Sequence, residues 1–335
     1  ASGDGPEPVV PISFATTTHA YPSVRGTEEF DIHAPFADAD VSIYDGNAGT
    51  PSATTTVVSG ATVEQSSAAA ASSIIEADNP ILVFASNNTS SDSVVTYPPT
   101  TRDLYGMATR DYFYTSISTG GQVAEFCSVS SPSTSTAMTR GSQDGNGNCN
   151  PANNDDGSGE GVRLTNITEP IAAIQERDSD GTEASVFLPE MEFGSQYIIP
   201  ADMNYIAIVC SPRLGTSTIS VYTSTGSEVD SGTCAPSGTN EPGTLLFDGG
   251  NGDSLLYTQG YSVRSTNNVP FWIMYEESNQ DGETNTWGAP QGRKYSTELN
   301  YSFGAQEVTI DAQYEQLSFG WYENAVTQTP TSTWP

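Results

Sequence analysis

The sequence predicts an all-β protein: three tandem β-sandwich-like modules with an extended N-terminal arm and a C-terminal strand tail. Three observations predict it. Its polar residues are mostly Ser, Thr, Gly, Asn and Pro rather than charges, which make up only 15% of the 335 residues; such a composition favours strands and turns over helices. Its longest apolar runs, Ile81-Leu82-Val83-Phe84-Ala85 and Phe271-Trp272-Ile273-Met274-Tyr275, have the length of strands. And the chain repeats itself.

The repeat is a polar or β-branched strand, a proline, and then a short apolar run. It reads Ser73-Ile74-Ile75-Glu76-Ala77-Asp78-Asn79-Pro80 into Ile81, then Arg163-Leu164-Thr165-Asn166-Ile167-Thr168-Glu169-Pro170 into Ile171. Its third copy runs from Ser262 through Pro270 into Phe271. Beyond each copy lie an acidic, turn-rich stretch, a second proline and a tyrosine: Pro98 and Tyr105, Pro189 and Tyr197, Pro290 and Tyr295. A spacing of 90 and then 100 residues between Pro80, Pro170 and Pro270 fits one small sandwich per copy.

From these marks the expected organisation is an arm over residues 1–28, modules over 29–122, 123–208 and 209–302, and terminal strands over 303–335. Val41-Ser42-Ile43, Ile219-Ser220-Val221-Tyr222, Val308-Thr309-Ile310 and Leu317-Ser318-Phe319 alternate apolar with polar, as half-buried strands do. Asp45-Gly46, Gly120-Gly121, Asp180-Gly181, Asp248-Gly249 and Asp281-Gly282 supply turns between runs. Only Thr62 to Ser73, with four alanines at 68–71, reads as either a short helix or an edge strand.

Four cysteines follow a shared local pattern. Cys127-Ser128 leads to Cys149-Asn150-Pro151, and Cys210-Ser211 leads to Cys234-Ala235-Pro236. Both are a Cys-Ser opening, a Ser/Thr strand, a glycine-rich turn and a Cys-x-Pro close, so the expected bridges are Cys127–Cys149 and Cys210–Cys234. Each would add about 3 kcal/mol in the chain-entropy picture. No Cys-x-x-Cys occurs, which disfavours structural zinc, dithiol redox chemistry and c-type haem.

Charge removes further classes. With 41 Asp+Glu against 10 Lys+Arg, a formal charge of −31 leaves no basic footprint for nucleic acid or for an anionic membrane surface. No apolar run approaches the roughly 18 residues of a spanning helix. The chain begins at Ala1 rather than Met, from which a removed leader and export are expected. Asn87, Asn88, Asn166 and Asn300 head N-x-S/T sequons, a pattern that chance often produces in a chain rich in Ser and Thr.

Candidate chemistry is sparse. His19 and His33 are the only histidines and no G-x-S-x-G elbow surrounds a serine, so no nucleophilic triad is expected. Glu276-Glu277, near Trp272 and Trp287, is the best local carboxylate pair for a glycosidase, although acids crowd every turn of this chain. Asp144, Asn146 and Asn148, with Asp155 further on, place oxygens at alternate positions in a way that suits calcium. Cys149 stands where an EF-hand needs its glycine, so the loop is not an EF-hand. Sixteen tyrosines offer rings for sugars, for protein contacts or for packing between modules. Val10, Ile12 and Phe14 at one end, and Val308 and Ile310 at the other, lie in strand-capable stretches that could add to a neighbour's sheet or complete their own modules.

The repeat plan resembles repeat-built prokaryotic surface and appendage proteins. Its strand, Asp-x-Pro step and apolar strand, here Asp78-Asn79-Pro80, is similar to surface modules of the IgGFc-binding-like kind. The acid excess with a single lysine is similar to proteins of marine or hypersaline settings, where salt screens self-repulsion. The resemblance implies β-sandwich modules at a cell surface and carries over no functional residue. The resulting expectation is a secreted, non-enzymatic structural subunit of an extracellular filament, appendage or surface layer, with copies of itself as partner and strand edges as contacts. An adhesin or glycan-binding surface protein is the alternative, and a secreted hydrolase comes third.

Overall fold

The computed structural model describes residues 10–22, 28–67, 72–87, 93–108, 112–128, 135–145, 149, 159–176, 184–199, 203–248, 255, 260–277 and 283–285, with the backbone of four further strands: Leu299–Phe303, Gln306–Ile310, Gly320–Trp321 and Ser332–Thr333. Among the described residues the secondary structure is strand throughout, apart from two short 3-10 turns, Ile12–Phe14 and Glu190–Glu192.

Strand pairing sorts the chain into three units. The first holds β1 (Thr16–Pro22), β2 (Glu28–His33), β3 (Ala39–Asp45), β4 (Ala53–Val57), β5 (Thr62–Ser67), β6 (Ser72–Asn87) and β7 (Ser93–Val95). The second holds β8 (Leu104–Ala108), β9 (Tyr112–Ser116), β10 (Gly121–Cys127), β11 (Ser135–Met138), β12 (Gln143–Gly145), β13 (Glu160–Thr165), β14 (Ile171–Glu176) and β15 (Ala184–Val186). The third holds β16 (Gln196–Ile199), β17 (Met203–Cys210), β18 (Ser217–Thr223), β19 (Glu228–Cys234), β20 (Gly243–Asp248), β21 (Tyr261–Ser265), β22 (Trp272–Glu277) and β23 (Glu283–Asn285).

The units share one topology. The second pairs β8-β13-β10-β11 in one sheet and β15-β14-β9-β12 in the other; the third pairs β16-β21-β18-β19 and β23-β22-β17-β20. With strands lettered a to h in chain order, both units read a-f-c-d and h-g-b-e. The first unit obeys the same order because β6 supplies both f and g. Its first half pairs with β1 and β3, and its second half with β2 and β7.

This topology explains the recurring proline. Proline cannot donate to a β ladder, so it suits the point where the chain leaves one sheet for the other. Pro80 lies inside the continuous β6, whereas Pro170 and Pro270 follow corners that contain Asn166 at φ 51° and Asn268 at φ 59°. Asparagine tolerates this left-handed backbone better than most residues.

Inside each unit alternate residues point between the two sheets. Phe30, Ile32, Val41, Ile43 and Val83 fill the first core, Tyr112, Val123, Val162, Leu164 and Ile171 the second, and Ile206, Ile208, Ile219, Val263 and Ile273 the third. Tyr112 and Tyr114 both point inward and donate to the buried Glu125 carboxylate, at 3.1 and 2.7 Å. Burial, followed by the adjoining Glu125, pushes the Tyr112 hydroxyl far above its usual range, so it stays protonated as donor.

Several expectations change. The unit boundaries do not fall at 122 and 208: Tyr105 lies in β8 and Tyr197 in β16, so the first two proline–tyrosine marks open the following unit instead of closing their own, and the third, Pro290 and Tyr295, lies outside the described residues. Thr62 to Ser67 is strand, and the alanine run at 68–71 lies outside the described residues. The bridges join the expected partners, Cys127 to Cys149 and Cys210 to Cys234, but not at equivalent places. Cys127 ends strand c and Cys149 follows e, whereas Cys210 ends b and Cys234 ends d. The shared cysteine pattern is therefore not part of the repeat. Both bridges do tie one sheet of a unit to the other, and they belong to an oxidising environment.

His19 shows how tightly the first unit closes. Its Nε2 donates to the Ile81 carbonyl at 2.8 Å, while Nδ1 is buried with no hydrogen-bond partner among the described residues. Burial drives the imidazole down to about 4, partly offset by that hydrogen bond. An unfolded histidine takes up its proton near pH 6.5, so acidification favours the unfolded chain across the window between 6.5 and 4. The loss amounts to about 3 kcal/mol at 1.36 kcal/mol per unit. Urea midpoints at pH 7 and pH 4 are expected to fall less in His19→Gln than in the unaltered protein; equal falls would show that His19 is not the group responsible.

Candidate functional site: the faces between units

The outward residues of these strands are as informative as the inward ones. In β8 Leu104 and Ala108 face the core of the second unit, while Tyr105 and Met107 join a separate apolar cluster. That cluster also takes Tyr205, Ala207 and Val209 from β17, Trp272 and Met274 from β22, Val186 from β15, and Leu82 and Val95 from the first unit. All three units thus contribute to one apolar body outside their own cores. Burying each large aliphatic or Met side chain in it contributes roughly 1.5–3 kcal/mol. The Trp272 indole donates to the Val186 carbonyl at 3.1 Å, crossing from the third unit to the second.

Between the first and second units the outer face of a-f-c meets the outer face of b-g. Ala20, Ile74 and Tyr44 pack against Ala172 and Ile117. The loops after strands b and d of the second unit, residues 117–120 and 139–142, close over the edge. Arg140 donates to Glu76 at 2.8 Å and to the Ile117 carbonyl at 3.1 Å, and its guanidinium lies 5.4 Å from the Tyr44 ring centroid. Ser72 donates to the Gly141 carbonyl. Gly141 has φ 63°, and a Cβ there would overlap the Gly46 carbonyl, so glycine is required both by the backbone and by the approach of the units.

The second and third units meet in the same way. Tyr105 and Arg163, on strands a and f of the second, are gripped by the loops after b and d of the third, residues 211–216 and 235–242. Arg163 donates from Nε and Nη2 to Asp103 at 3.0 and 2.7 Å, and from Nη1 to the Asn240 carbonyl at 3.1 Å. Arg213 reaches the same Asp103 oxygen. Thr165 adds a hydrogen bond to Asp103 at 2.9 Å, and Gly161 N donates to Thr244 at 3.0 Å. Glu190, in the connection between the units, accepts from Tyr105 at 2.7 Å, from Ser211, and from Arg213 at 3.2 Å. Burial and then Glu190 push the Tyr105 hydroxyl upward, keeping it a donor.

Sequence reasoning missed these cations, although their rarity was a usable signal. Side chains are described for Arg102, Arg140, Arg163, Arg213 and Arg264, and three of these five bridge units.

The residues singled out earlier are scattered. Asp144 lies in β12 with its backbone opposite Tyr114, and Asn146, Asn148 and Asp155 lie outside the described residues. Among the described residues the one cluster of metal-ligand types is Cys127, Cys149 and Glu160, and its two sulfurs are bonded to each other. Glu276 is buried and accepts from Asn204 at 2.6 Å, and Trp272 is buried in the shared cluster. The side chain of Glu277, at the end of β22, lies outside the described residues. His33 Nδ1 lies 3.2 Å from the Thr62 hydroxyl. The arm turns instead of extending at Ile12–Phe14: Phe14 is buried edge-on against Tyr97, Val10 packs on the shared cluster, and Ile12 is exposed. Val308 and Ile310 lie in Gln306–Ile310, paired with Leu299–Phe303. No family model and no curated protein matches this chain.

Two of these ion pairs, one at each junction, differ in burial and so in expected worth. Arg163 and Asp103 side chains are 8% and 13% exposed, whereas Arg140 and Glu76 are 28% and 39% exposed. Asp103→Asn leaves a buried guanidinium poorly compensated and is expected to cost about 3–5 kcal/mol. Glu76→Gln is expected to cost about 1 kcal/mol or less. Chemical denaturation of both variants checks the contrast, and equal costs would refute it.

Proposed function

We propose that this chain is a secreted structural subunit that assembles with copies of itself into an extracellular filament, appendage or surface layer. One observation carries the reading: the two junctions inside the chain use the same pair of unlike faces in the same direction. The a-f-c face of one unit is held by the b–c and d–e loops of the next. A contact between unlike faces is heterologous, and when it does not close on itself it propagates, as stacking does in solenoid proteins. The paired cysteines and the Ser/Thr-rich surface support an extracellular setting. Three sandwiches sharing one apolar cluster support a rigid building block better than a set of flexibly linked binding heads.

The charge of −31 sets the conditions. Copies repel one another at low ionic strength, and at about 0.5 M salt the screening length falls to a few ångströms. Light scattering and negative-stain microscopy of the purified protein are expected to show polymers that grow with protein concentration and with salt. Monomers that persist at every concentration and salt level would sink the reading.

A further inference from the structure

We infer that one copy docks on the next through the exposed outer face of β16-β21-β18, gripped by loops 34–38 and 58–61 of the neighbour's first unit. The inference rests on the self-assembly reading and names the contact that carries it.

Register makes the case. In the first unit Ala20 pairs with Ile74, which pairs with Tyr44. In the second, Tyr105 pairs with Arg163, which pairs with Phe126. In the third, Ile198 pairs with Ser262, which pairs with Tyr222. Ala20, Tyr105 and Ile198 therefore hold one structural position. Ala20 and Tyr105 are each 0% exposed because the following unit covers them; Ile198 is 62% exposed.

The complementary surface lies on the first unit, whose b–c and d–e loops grip no other unit among the described residues. These loops are preformed. Ala34 N donates to the Ala61 carbonyl at 3.2 Å, Gly60 N to the Ala34 carbonyl at 2.7 Å, and Ser59 N to Asp38 at 2.8 Å. At their tips stand Phe36, 61% exposed, and Val58, 59% exposed, two large apolar side chains where the corresponding loops of the second and third units carry the gripping residues. Charge is complementary as well. Each internal junction joins an arginine to a carboxylate, and here Arg264 is exposed on the receiving face, 5.1 Å from the Tyr222 ring centroid. It stands at the register position of Glu76, opposite Ser220 as Glu76 is opposite Ser42. Asp38 lies on the gripping loops.

Because the two faces differ, blocking each separately gives a decisive test. Ile198→Asp and Phe36→Asp both alter exposed residues, so the monomer is expected to remain folded. Each alone is expected to raise the concentration needed for polymerisation at least about tenfold, equivalent to about 1.4 kcal/mol. An equimolar mixture of the two is expected to stop at dimers, since only one sound face remains on each. Polymerisation of either single variant at the unaltered concentration would overturn the contact while leaving self-assembly intact. An unaltered protein that never polymerises would overturn both. Ile198→Cys supplies a second readout: a maleimide is expected to label it in dilute monomers and to be excluded from it in polymers. Exclusion already in the monomer would show that the chain's own remaining residues cover this face, and labelling undiminished in polymers would show that no copy does; either outcome overturns the inference.

Discussion

Tyr105, Met107, Tyr205 and Trp272 bury their side chains on the outer sides of their sheets, beyond any sandwich core, and the arrangement of the molecule follows from covering them. A sandwich normally leaves its outer faces to water. Here those faces are apolar where units meet, so an isolated unit would expose a patch that solvent does not tolerate well. Packing one unit's outer sheet on the next removes that patch and sets the direction of stacking in the same step.

Electrostatics refine this packing more than they drive it. An excess of acids distributed over the surface repels itself, and with so few cations each one is best used where its field meets desolvated carboxylates. Arg163 and Arg213 share Asp103, so neither carboxylate nor guanidinium is left alone in the join. Glu125 shows the same economy within the second unit, where two tyrosine hydroxyls satisfy a carboxylate at a register position that Ile43 and Val221 occupy in the other units. Buried polar groups of this kind cost stability unless fully hydrogen-bonded.

The strand–proline–strand corner was legible because a ladder excludes proline wherever it needs a donor, and that exclusion leaves its trace in residue order. Strand class was legible for the same local reason. Unit boundaries were not, since Leu104-Tyr105-Gly106-Met107-Ala108 is buried on both faces and loses the alternation that marks a sandwich strand. The cysteines misled on register through a local likeness: any Ser/Thr strand closed by a glycine turn reads alike, whichever two strands it joins. Junction residues were hidden because Asp103, Arg163 and Arg213 converge from three separate segments, and nothing in their spacing announces it. The N-terminal stretch read as a strand from its apolar content, but Pro11 and the burial of Phe14 favour a turn that anchors the arm inside its own molecule.

Both sulfur bridges lie within units and cross from sheet to sheet, whereas the described contacts between units are non-covalent. If copies join end to end as proposed, a string of them under tension would therefore part at its seams before the second and third sandwiches unravel. Parted seams can reseal once the pull is released, while the stapled sandwiches cap how far each molecule stretches. The first unit, which contains no cysteine, would be the slack in the line.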